Sequence, residues 1–194
     1  MKLTNLVVVL ALISSGASHA ASGIFESYGI LKINASTDTY YDMQATTGNP
    51  DLNGASLGTF DLTQIVSLTL RGGEVKTFKN GISDVFSAAL SYRVVKDGDT
   101  PGSFASINLP FDSNIGGGGD QKWDETAATV DLLSGLGNGN YTLEVFASAN
   151  SSDGTHFSNN GGNNYKATFT VVPEPSSALL GLLGAGLLLR RRRA

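Results

Sequence analysis

The sequence predicts an all-β fold, an antiparallel β-sandwich of immunoglobulin-like or jelly-roll topology. Three observations predict it. Short segments alternate apolar and polar side chains along most of the chain, the period-2 signature of half-buried strands. Glycine- and asparagine-rich punctuation separates them, in a chain with 24 glycines and 8% aromatic residues. Between residues 21 and 171 no stretch sustains an apolar period of 3.6, so that region offers no amphipathic helix.

The strands follow in order. Residues 28–34 (YGILKIN) set Ile30 and Lys32 opposite Leu31 and Ile33. Residues 37–44 read as a polar strand with Tyr40 and Tyr41 side by side. Residues 46–58 hold Gly48, Asn49, Pro50, Asn53 and Gly54 and read as a loop. Residues 65–70 (IVSLTL) alternate, and Gly72-Gly73 reads as a hairpin turn into residues 74–79. Asn80-Gly81 is a second hairpin signal. Residues 86–96 (FSAALSYRVVK) form the longest strand and turn at Asp97-Gly98-Asp99. Strands are then expected at residues 104–111, 129–133, 141–149 (YTLEVFASA) and 166–172 (KATFTVV).

Composition narrows the chemistry. There is no cysteine, so disulfides and thiol chemistry are excluded. Of 13 basic residues, Lys2 and four terminal arginines lie in the end segments; the other 8 face all 17 acidic residues between Ala21 and Pro175. An acidic domain argues against nucleic acid as a partner. It suits neutral glycans or divalent cations. His156 is the only histidine after residue 20, and no Gly-x-Ser-x-Gly elbow accompanies it, so a catalytic triad is not expected. The chain is therefore read as a non-enzyme. Calcium prefers oxygen ligands from loops, which makes Asp97, Asp99, Asp120 and Asp124 candidate ligands. Turn formation by Asp, Asn and Gly is the favoured reading of the same loops. Trp123, in a polar glycine-rich setting, and Tyr165 and His156 in the last long loop are candidate glycan contacts. For Trp123 the competing reading is a core anchor.

Both ends carry a separate logic. Residues 1–20 have the form of a secretory signal peptide: Lys2, an apolar run at 6–13, then Ser18-His19-Ala20. Cleavage is expected between Ala20 and Ala21 by signal peptidase after passage through the Sec translocon. Residues 21–171 are then one β-sandwich domain, large enough for its own core. Residues 172–194 begin with Pro173-Glu174-Pro175, which is stiff and poor in backbone donors. Residues 176–189 are uncharged and predict a short hydrophobic helix. At 1.5 Å per residue, ~14 residues span about 21 Å against a hydrocarbon core of ~30 Å. Arg190, Arg191, Arg192 and Arg193 close the segment as a membrane stop.

This ordered tail resembles the PEP-CTERM sorting signal of Gram-negative, exopolysaccharide-producing bacteria. The resemblance implies recognition by an exosortase, a multi-pass membrane cysteine enzyme, with cleavage near the motif. Pro173, Glu174 and Pro175 are then a substrate for another protein's active site. The segment crosses the inner membrane transiently, and the product ends at the cell surface or in the extracellular matrix. The expected function is a structural or adhesive biofilm-matrix protein. The alternative is a carbohydrate-binding module for exopolysaccharide, calcium-assisted or not.

Overall fold

The computed structural model describes residues 22–116 and 118–172. The expected signal peptide, its Ala20/Ala21 junction, Pro173-Glu174-Pro175, the hydrophobic segment and the arginine stop lie outside the described residues. Among the described residues, no helix is long and apolar enough to cross a membrane.

Among the described residues, twelve strands form two six-stranded sheets. The first runs β2 (Thr39–Asp42), β1 (Ser22–Ile33), β4 (Leu68–Lys79), β8 (Asp120–Glu125), β7 (Phe111–Ile115), with β9 (Val130–Asp131) beside β4. The second runs β3 (Ser56–Asp61), β12 (Tyr165–Val172), β10 (Gly139–Ser151), β5 (Val85–Lys96), β6 (Ala105–Leu109), with β11 (Gly154–Ser158) beside β10. The expectation of purely antiparallel sheets needs one correction: β3 and β12 are parallel. The chain changes sheets through residues 43–55, and β3 then joins the free edge of β12 running the same way.

Alternation fills a single core shared by both sheets. Leu143, Val145, Ala147 and Ala149 point inward from β10, and Ala167, Phe169 and Val171 from β12. They meet Leu70 and Val75 from β4 and Trp123 from β8. Each fully buried large apolar side chain contributes about 1.5–3 kcal/mol relative to exposure. Tyr141, near the start of β10, stacks on Phe169 at 5.4 Å, and its hydroxyl donates to the Gly137 carbonyl at 2.7 Å.

Gly72-Gly73 is not a turn. β4 runs straight through it. Gly72 has φ +126°, and a Cβ there would lie 2.0 Å from the Glu125 carbonyl oxygen. The glycines serve a register shift against β1 and a close approach of β8. The Asn80-Gly81 signal marks a real turn, but it carries the chain from β4 in one sheet to β5 in the other, so it closes no hairpin. The strand expected at 65–70 begins only at Leu68, and the loop expected at 46–58 ends in β3.

Candidate functional site

The structure separates the residues proposed for ligand binding. Trp123 is 6% exposed, lies against Phe111 edge-on at 5.4 Å, and belongs to the core. Tyr165 is also buried, its hydroxyl 3.1 Å from the Ser158 hydroxyl. Neither ring keeps a face for stacking on a sugar. The reason is strand parity: Gln121 and Trp123 point inward from β8 while Lys122 and Asp124 point outward.

The carboxylates also stay apart. Asp97 and Asp99 lie in the turn after β5, at the end of the second sheet where β12 finishes. Asp120 opens β8 in the first sheet, beside Ile115. Asp124 is ion-paired to Lys122 at 3.1 Å, and Lys122 also binds Asp112 at 3.0 Å. The hydrogen bond to Asp112, then that to Asp124, holds the Lys122 ammonium above the usual lysine range despite partial burial. Among the described residues no group of three or more His, Cys, Asp or Glu converges to hold a metal ion. The asparagines of the last loop build their own turn, with Asn159 accepting from the Gly162 amide at 3.2 Å.

His156 lies in a polar clasp. Its Nε2 is 3.0 Å from the hydroxyls of both Ser22 and Ser151, and 3.6 Å from Asp153 Oδ1. Ser22 donates to Asp153 through its hydroxyl and its backbone amide, and Ser151 donates at 2.6 Å. The donation from Ser151, then that from Ser22, pulls the Asp153 carboxyl well below its ordinary range. Serine, histidine and aspartate are all present, but the carboxylate and both hydroxyls share one ring nitrogen. A catalytic triad needs the carboxylate on the opposite nitrogen. The clasp ties the start of β1 to the β10–β11 hairpin.

A different surface assembles on the outer face of the second sheet. Parity on β10 turns Glu144, Phe146, Ser148 and Asn150 outward. Phe157 of β11 lies opposite Ser148 and is 56% exposed. Phe104, just before β6, completes a row: Phe104–Phe146 centroids are 5.0 Å apart and Phe146–Phe157 6.2 Å. The Arg93 guanidinium lies over the Phe104 ring at 4.1 Å and binds Glu144 at 2.6 and 2.9 Å. Lys166 approaches the other Glu144 oxygen at 3.3 Å. Burial works to raise the Glu144 pKa, but Arg93 and then Lys166 outweigh it and keep it below its usual value. On the other side of the row lies a polar carpet. Ser91 and Ser106 hydroxyls are 2.9 Å apart, and Asn150 bonds Ser87 at 3.0 Å and Thr155 at 2.8 Å. Rings offer apolar faces, and amides and hydroxyls both donate and accept. Phe146 carried a readable signal, as a single aromatic on an otherwise polar strand face. Phe104 did not, because its neighbours come from other strands.

The C-terminal junction is the last functional feature. Val171 is buried between Gly139 and Phe60, and Val172 pairs with Asp61. The sheet thus continues to the residue before Pro173.

Residues 171–193 match the family model of the PEP-CTERM protein-sorting motif. No curated protein matches the chain. A tail of this kind marks an exported protein for exosortase-dependent sorting.

Proposed function

We propose that this is a surface or extracellular-matrix protein of a Gram-negative bacterium, structural or adhesive rather than catalytic. Signal peptidase and the Sec machinery start its export, and an exosortase-like enzyme completes sorting at the tail. The domain is an immunoglobulin-like sandwich. The strand orders of its two sheets support that choice over a jelly-roll, as does the Tyr141 hydroxyl bonded four residues back to Gly137, the arrangement of a tyrosine corner.

The observation that carries the reading is a folded domain joined without a linker to a sorting tail. Replacing Glu174 and Pro175 with alanine is expected to leave the tail attached and the protein in the inner membrane. Intact mass from cells and medium checks this. Wild-type protein starting at Ala21 and ending near Pro175 supports the reading, whereas retention of Arg190–Arg193 in the wild type overturns it.

The carbohydrate-binding alternative is favoured by one specific feature, the row Phe104–Phe146–Phe157 beside its amide and hydroxyl carpet. A polysaccharide chain has apolar C–H faces and a belt of hydroxyls, and this face offers a counterpart to each. The triple variant F104A/F146A/F157A is expected to weaken binding to polysaccharide extracted from the host matrix by about ten-fold or more. Affinity electrophoresis reads the change, and a melt confirms that the fold survives. Equal mobility of wild type and variant would remove polysaccharide from this face and leave the structural role alone.

A further inference from the structure

The sorting match begins at Val171, two residues before Pro173. Both of those residues are strand. β12 is held between β10 on one side and β3 on the other, and Val171 and Val172 align with Phe60 and Asp61. Because β3 and β12 are parallel, β3 passes to Leu62 at the same end of the sheet where β12 passes to Pro173. The turn at residues 61–66 therefore borders the start of the sorting signal.

That turn is firmly built and apolar at its tip. Asp61 Oδ1 accepts from the Thr63 amide at 3.0 Å and its hydroxyl at 2.7 Å. The Gln64 amide donates to the Asp61 carbonyl at 2.9 Å, and Val66 packs on the core. These bonds hold Leu62 44% exposed and Ile65 fully exposed. The turn thus presents two large aliphatic side chains to solvent at the end of the sheet where β12 finishes, the kind of side chain that anchors a protein contact.

We infer that residues 61–66 are a second recognition element for the sorting enzyme, an exosite on which Leu62 and Ile65 dock while the motif enters the active site. The inference rests on the exosortase reading of the tail. The Pro173-Glu174-Pro175 motif follows directly on the last paired residue of β12, so an enzyme that grips it works close to the rim of the sheet, and pulling Val171 and Val172 free would break pairing on both sides of β12. The occupant is the enzyme rather than bare lipid. Asp61, Asp97 and Asp99 lie toward this same end, and carboxylates gain nothing from an anionic bilayer surface.

The test uses the full chain in its native host, with loss of the tail followed by pulse-chase and intact mass. L62S/I65S is expected to fold normally, since both side chains are exposed, and to lose its tail about ten-fold more slowly. E174A/P175A serves as the control. Wild-type processing of L62S/I65S, with E174A/P175A blocked, overturns the exosite and spares the sorting reading. Normal processing of both overturns both. Ile65→Trp distinguishes the occupant: a fitted protein surface slows processing, whereas a bilayer interface, which favours tryptophan, leaves it unchanged or faster and overturns docking on the enzyme.

Discussion

Trp123→Ala is expected to destabilise the domain by about 3–5 kcal/mol, the range for removing a large aromatic from a packed core. Trp123 is sealed between Val75 of β4 and Phe111 of β7. Removing it opens a cavity under the first sheet. Urea unfolding reads the loss directly. Trp123→Phe should cost much less, because the indole Nε1 finds no acceptor among the described residues. A buried unpaired donor carries a penalty of about 1–3 kcal/mol, and phenylalanine relieves it while keeping most of the volume. The chain has one tryptophan, so its emission should be blue-shifted in the native state and move to the red on unfolding. A Trp123→Ala protein that stayed fully stable but lost polysaccharide binding would contradict this account and restore a surface role for the ring.

Asp42→Ala is expected to cost about 3 kcal/mol at neutral pH, through a different mechanism. Asp42 is fully buried at the end of β2. One carboxylate oxygen accepts from the Gln44 amide at 2.7 Å. The other accepts from the Thr46 and Thr47 amides at 2.9 and 2.8 Å and from the Thr47 hydroxyl at 2.8 Å. Burial alone would raise the Asp42 pKa. The Thr47 hydroxyl and the three amides outweigh it and bring it below the ordinary aspartate value. A carboxyl whose pKa is lower folded than unfolded adds stability above the unfolded value, about 3.9. That stability disappears as pH falls through the folded value. The gap between wild type and Asp42→Ala should therefore be full at pH 7 and narrow below about pH 4. A gap of constant size down to low pH would mean that the carboxylate's charge does not hold this loop. The effect reaches beyond the loop itself. Residues 43–55 bury Met43 and Leu52 and carry the chain to β3, so Asp42 also helps to set the strand that pairs with β12.

Much of this molecule could be read before any coordinates. The tail declared itself because its signal is linear: Pro173-Glu174-Pro175, an uncharged run and Arg190–Arg193 need no tertiary context to be recognised. The strands at 86–96, 141–149 and 166–172 were legible because β-structure has a local period, most regular along β12, and these segments are rich in strand-forming residues. β8 is not legible in the sequence, because Gln121-Lys122-Trp123-Asp124 looks like a polar loop until a partner strand shows which residues face inward.

Alternation assigns side chains to two faces, but it does not say which sheet a strand joins or which neighbour it takes. Backbone hydrogen bonds are nearly blind to side-chain identity, so those choices are made by long-range packing of side chains and by the connections between strands. The resulting pairing decided that Gly72-Gly73 continues a strand, that Trp123 is core, and that Phe104, Phe146 and Phe157 form one row. It also decided that Leu62 and Ile65 lie at the end of the sheet where β12 finishes, since the parallel β3–β12 pair joins residues more than a hundred positions apart. The sequence by itself determined where the protein is sent and that it is built of strands. Only the tertiary structure determined which surfaces it presents, because the aromatic row is assembled from separate strands and the 61–66 turn is placed beside the end of β12 by a pairing between strands distant in the chain.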